Sequence, residues 1–261
     1  VKVVLITGAA SGLGWALARH WHAKGWQLVL ADIDAPLLKQ RERELNTPER
    51  VRAVVADITN AEHIQALATQ TGEAFGRLDL LINNAGITHR SPASQTDPAV
   101  FRKVMAVDWQ GPVELTLACL PLLRASRGKI VCIGSMAGWM PVPGRAAYCA
   151  AKSALTQFFE VLRLELETDG IHVLMAYPSF LDTPIEHHAL GKDGQPAQHP
   201  RSMVGGLRSA EWMAELIDQG LQRRKRWLLP EPVSRFGSLL WRLAPSLYLR
   251  TVRRRFASDL T

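Results

Sequence analysis

The sequence predicts an α/β domain built on a parallel sheet with helices on both faces. Three observations predict it. Short, β-branched apolar runs alternate with longer segments of helical periodicity, as repeated βα units require. Several of the runs are apolar throughout, as strands are when helices cover both faces. The first run leads through a glycine turn straight into a helical segment.

Taken in order, strands are expected over 3–7 (VVLIT), 27–31 (QLVLA), 52–56 (RAVVA), 78–83 (LDLLIN), 129–134 (KIVCIG), 172–177 (HVLMAY) and 226–230 (RWLLP). Helices fill the gaps, roughly 12–24, 35–45, 60–75, 97–124, 147–169 and 209–222. Residues 184–208 break the alternation: they are rich in Gly, Pro, His and Gln and read as a mobile excursion, a lid over a substrate. His187, His188 and His199 in it read as solvated loop residues, not ligands. A length of 261 residues suits one large α/β domain over 1–230, followed by an extension over 231–261.

Apolar residues make up 47% and charged residues 21%, the balance of a globular protein with a substantial core. Three cysteines without paired spacing argue against a disulfide framework and for a reducing, cytoplasmic compartment. We expect no leader peptide, because the chain opens directly in a strand-like run. No apolar run reaches the length of a transmembrane helix. The net charge of +7 is concentrated, since residues 221–256 hold ten Lys/Arg against Glu231 alone. The remainder is slightly acidic, a balance that gives nucleic-acid binding by the body no support.

In "TGAASGLG" the glycines Gly8, Gly12 and Gly14 let backbone amides and a helix N-terminus approach a pyrophosphate. Asp32, at the end of the second strand, can bond both hydroxyls of a ribose and repels a 2′-phosphate. The turn itself offers only Ala9, Ala10 and Ser11, so NAD is favoured over NADP. Tyr148 and Lys152 stand four apart in a helical segment and so share a face. Ser135 and the "NNAG" run (83–86) follow strands, whose C-terminal ends line the crevice of an open α/β sheet.

These pieces, with "YPSFLDTP" (177–184) and "AD" ending in Asp57, resemble the short-chain dehydrogenase/reductase family over about residues 1–225. The resemblance implies a single-domain Rossmann fold with a doubly wound, seven-stranded parallel sheet. It implies hydride exchange between a nicotinamide cofactor and an alcohol or carbonyl carbon. It places Gly8, Ser11, Gly12, Leu13, Gly14, Asp32, Asp57, Ile58, Asn84, Ala85, Gly86, Pro178 and Thr183 at the cofactor, with Tyr148 and Lys152. Asp57 would meet the adenine, and Thr183 the carboxamide. Tyr148 would be the acid/base, Lys152 would lower its pKa and hold the nicotinamide ribose, and Ser135 would orient the substrate oxygen. No metal is needed. A homodimer or homotetramer is expected, through helices around 100–124 and 150–168.

Two positions depart from the family. Asp108 replaces an Asn that helps hold a water linking the lysine to solvent. An ionised Asp only accepts hydrogen bonds, so Asp108 is expected to hold such a water, stabilise the Lys152 cation and partly cancel its pull on Tyr148. Ser179 stands where Gly is usual after Pro178. Trp139 and Met140 are candidate apolar walls for a lipophilic alcohol or ketone, with Pro141 and Val142 beside them, though Trp139 could equally be packing.

In the extension, Val233, Phe236, Leu239, Leu240 and Leu243, then Leu247, Tyr248, Val252 and Phe256, recur at helical spacing among arginines. Two short basic amphipathic helices would either lie in a membrane interface or pack on the body or a partner subunit. Two other readings compete with the enzyme: a non-catalytic dinucleotide sensor, and a membrane-associated scaffold whose tail is its function.

Overall fold

The computed structural model describes residues 1–178, 180–186, 188–197 and 206–256. Ser179, His187 and His199 lie outside the described residues, as does the side chain of Val233.

Val3–Thr7 form β1, and all five residues are buried because strands flank β1 on both sides. β2 (Gln27–Asp32), β3 (Val51–Val55), β4 (Leu80–Asn83), β5 (Lys129–Ile133), β6 (His172–Ala176) and β7 (Trp227–Leu228) complete one sheet. Its order is β3-β2-β1-β4-β5-β6-β7, and every pair is parallel. This is the seven-stranded Rossmann-like sheet the sequence predicts.

Alternate residues of each strand face opposite layers. Val3 and Leu5 of β1 enter a core shared with α3 (Ala61–Phe75), α5 (Gly111–Ser126) and α6 (Ala146–Glu165). Val4 and Ile6 enter the opposite core, shared with α1 (Gly12–Ala23), α2 (Ala35–Leu45) and α7 (Ala210–Gln222). Helix starts are fixed locally: Asp34 and Asn60 accept hydrogen bonds from first-turn amides of α2 and α3. β1 and β4 lie side by side while their following chains leave in opposite directions, which opens a crevice above their C-terminal ends.

The single helix expected over 97–124 is in fact two. α4 (Pro98–Met105) and α5 are joined by a π-helical turn, Ala106–Gln110. Pro112 accounts for the break, because it has no N–H to donate to the Asp108 carbonyl. α6 stops at Glu165, four residues earlier than expected, and the chain turns through Gly170 at φ +71° into β6. The seventh strand has shrunk to two residues.

The described part of the 184–208 excursion is pinned to the body. The amide of Leu190 donates to the Thr88 carbonyl at 2.9 Å, the amide of Arg90 to the Leu190 carbonyl at 2.7 Å, and the amide of Asp97 to the Lys192 carbonyl at 2.8 Å. His188 is exposed. The extension forms α8 (Pro232–Leu243) and α9 (Pro245–Arg255). Tyr248, Val252 and Phe256 bury one side of it against Met140 and Val142.

Candidate active site

The glycine turn is built by close approach. A Cβ on Gly14 would lie 1.9 Å from the Gly8 carbonyl oxygen, and Gly8 itself has φ +63° with Ala85 Cα at 2.9 Å from where its Cβ would be. Only glycine fits such places. The "NNAG" run closes the floor: the Asn84 side-chain amide donates to the carbonyls of Thr7 and Gly8 at 2.9 and 3.2 Å, and the Thr7 hydroxyl accepts from the amides of Asn84 and Ala85 at 3.1 Å each. Gly12, at φ +50°, faces Thr183, so the chain after β6 meets the turn after β1. Leu13 is buried in the first turn of α1, whose N-terminus points into the crevice; the Ser11 hydroxyl makes no capping bond there.

Asp32 is tied to the same turn. One carboxylate oxygen accepts from the Ala10 amide at 2.9 Å and the other from Asp34 N–H at 3.0 Å. Asp57 sits further out, at the end of β3, with one oxygen held by the Thr59 amide and hydroxyl at 2.8 and 2.7 Å. The Ile58 carbonyl lies 2.5 Å from where a Cβ on Gly111 would be, so Ile58 packs beneath the start of α5. Arg41 of α2, which no sequence motif signalled, donates to the Ala10 carbonyl at 3.0 Å and to both oxygens of Glu44. It brings a cation, paired with Glu44, to the same Ala10 backbone that Asp32 holds.

The second cluster forms where β5 ends. Ser135, half-buried, accepts from the Ala137 amide at 3.2 Å, and its side chain works to lower the Tyr148 pKa. Lys152, one helical turn along α6, is buried, and its ammonium donates to the Ile133 carbonyl at 3.1 Å. Asp108, fully buried in the π turn, faces that ammonium at 3.2 Å and accepts from the Ile87 amide at 2.7 Å with its other oxygen. Gly86 lies over the pair: a Cβ there would be 3.4 Å from Asp108 and 3.5 Å from Lys152. The ammonium is 5.6 Å from the Tyr148 ring centre.

Electrostatics follow from this burial. Desolvation raises the Asp108 pKa, against the pull of Lys152 and the Ile87 amide. Desolvation works to lower Lys152, but Asp108 and Tyr148 together carry it above its ordinary value. Tyr148 differs from the sequence-based expectation. Burial raises its pKa more than Lys152 lowers it, and Asp108 adds to the rise. Turning this tyrosine into a base therefore takes further positive charge.

Trp139 and Met140, in the turn after Ser135, contact Tyr177, Arg242 and α8. The Trp139 ring lies 4.4 Å from that of Tyr177 and under the Arg242 guanidinium at 5.7 Å. Met140 meets α8 at Gly237. Pro178 is half-buried just past β6. An open, mostly apolar pocket of about 380 Å3, lined by Pro141–Pro143, Ala146, Cys149, Leu249, Val252 and Arg253, lies between the 136–143 turn and α9. Its tail residues have no motif that sequence reading could have paired with the body.

Set beside known proteins, this arrangement is a common one. The family model described as short chain dehydrogenase matches residues 2–193. Dehydrogenase/reductase SDR family member 7B of Mus musculus is 35% identical over 260 residues, covering 97% of this chain and 80% of its own length. The 11-beta-hydroxysteroid dehydrogenase A of Sesamum indicum is 39% identical over 188 residues, 70% of this chain and 53% of its own. Among solved structures, a short chain dehydrogenase/reductase from Burkholderia phymatum in complex with NAD superposes with a TM-score of 0.82 at 27% identity, over 94% of each chain.

Proposed function

This chain belongs to the short-chain dehydrogenase/reductase family, and we propose that it is an NAD-dependent member exchanging hydride with a lipophilic secondary alcohol or its carbonyl. The observation that carries the reading is the gathering of Tyr148, Lys152 and Asp108 beyond the end of β5, where Ser135 follows the strand.

The residues present fit a dinucleotide. Gly8 and Gly14 let the turn close on itself and on Asn84 and Ala85, α1 begins directly after it, and Asp32 is tied to the same turn, as a pyrophosphate site with a neighbouring ribose diol would need. Asp32 supports NAD over NADP, and the solved relative carries NAD. When bound, the nicotinamide supplies the carbon that gives or takes hydride. The chain does the rest. Ser135 holds the substrate oxygen; Tyr148 takes its proton during oxidation or returns it during reduction; Lys152 stabilises the phenolate. Asp108 positions Lys152 against the Ile133 carbonyl.

A lipophilic substrate is supported by the apolar 136–143 turn and the cavity beside it, and by the name of the hydroxysteroid dehydrogenase relative. A homo-oligomer is part of the same reading: Leu117 on α5 and Val161 and Leu164 on α6 expose apolar surface that a second subunit would cover. The test is NADH formation from NAD with secondary alcohols of increasing size, beside Tyr148→Phe. Turnover in the native protein should fall by about 10²–10⁴-fold in the variant. Undiminished turnover in the variant would remove Tyr148 from the mechanism, and NADH binding without turnover on any alcohol would favour the sensor reading.

A further inference from the structure

The face of the extension turned away from the body has no role in the chemistry above. On α8, Phe236, Leu239 and Leu243 are 67%, 53% and 76% exposed, at spacings that place them on one stripe. Leu247 on α9 is 54% exposed, and Arg250 and Arg254 follow it one and two turns on. The segment 221–256 carries ten basic residues and Glu231, which is buried and bonded by Arg208 at 3.1 Å. An apolar stripe flanked by arginines is the pattern of a helix lying in a lipid headgroup layer.

We propose that α8 and α9 dock the protein on a bilayer bearing anionic phospholipid headgroups, with Phe236, Leu239 and Leu243 entering the acyl boundary and the α9 arginines meeting the phosphates. Charge complementarity selects this occupant. A second copy meeting it through the same face would bring arginines against arginines. Among the described residues no helix is long and apolar enough to cross a membrane; α8 and α9, of 12 and 11 residues, would lie along its surface.

The docking face is fastened to the active site. The Tyr248 hydroxyl donates to the Pro141 carbonyl at 3.2 Å, Gly237 abuts the Met140 sulfur, and Arg242 covers Trp139. All three contacts land on the turn that follows Ser135. The bilayer would therefore lie beside that turn, on the side from which a lipophilic substrate could enter without crossing water.

The experiment is co-sedimentation of the full chain with vesicles of phosphatidylcholine, with and without phosphatidylserine, at low and high salt. We expect binding that is at least about tenfold tighter with phosphatidylserine and is weakened by salt. Phe236→Ser/Leu239→Ser/Leu243→Ser should abolish it. Arg250→Gln/Arg254→Gln, at exposed positions, should remove the salt-sensitive part while NADH binding and melting temperature stay unchanged. Equal binding to both vesicles, or none, overturns the proposal. So does an apolar triple variant that keeps vesicle binding, or one that instead lowers the oligomeric state seen in sedimentation velocity.

Discussion

At the scale of single residues, the Asp108–Lys152 pair decides how the tyrosine titrates. Asp108 raises the Tyr148 pKa, so Asp108→Asn removes an opposing charge. The rise of alcohol oxidation with pH, which follows loss of the tyrosine proton, should move to lower pH in the variant. A pH–rate profile of kcat/KM measures this, and a shift to higher pH would mean the loss of Lys152 positioning outweighs the charge. Asp32 offers a second test. Replacing it with Ser removes the carboxylate that repels a 2′-phosphate, leaving Arg41 nearby, and the preference for NAD over NADP should fall by about tenfold or more. The ratio of kcat/KM for the two cofactors reads it. Most of these residues were legible as letters because "TGAASGLG", "NNAG" and "YCAAK" are contiguous. Ile133 and Ile87 were not, since they act through backbone groups that any residue supplies.

At the scale of elements, the π turn at Ala106–Gln110 shows where reading by periodicity stops. The apolar pattern runs through it, so one helix was expected, yet the wider turn is what carries Asp108 inward to Lys152. The segment after "NNAG" is the other case. His89, which no sequence motif signalled, is fully buried and β-bridged to Leu190. Burial first, and then the Arg145 cation, lower its pKa from 6.5 to about 4. In the unfolded chain His89 binds a proton near pH 6.5, whereas the folded protein resists it until about pH 4. Stability is thus retained above pH 6.5 and lost as pH falls through that window, by about 3 kcal/mol at most from this group. Urea unfolding across the window should show a smaller decline in His89→Asn than in the native protein. Parallel curves would discard the assignment.

At the scale of the molecule, the parallel sheet followed from the alternation of βα units, while the length of β7 did not. β7, at one edge of the sheet, pairs with β6 over two residues, Met175 with Trp227 and Ala176 with Leu228. The two apolar layers hold the crevice in shape. Phe159 sits fully buried in the layer beneath α6, seven residues after Lys152, so Phe159→Ala should cost about 3–5 kcal/mol. Chemical denaturation measures that loss, and a value below about 1 kcal/mol would show that the layer can collapse around the void. The same strand order has a consequence for the chain as it emerges from the ribosome. β1 is made first but occupies the middle of the sheet, paired on one side by β2 and on the other by β4, which begins only at Leu80. Until that segment arrives, the nascent half-sheet presents the unpaired flank of Val3–Thr7, all apolar but for its last residue, and this is the interval in which a holdase chaperone has something to grip.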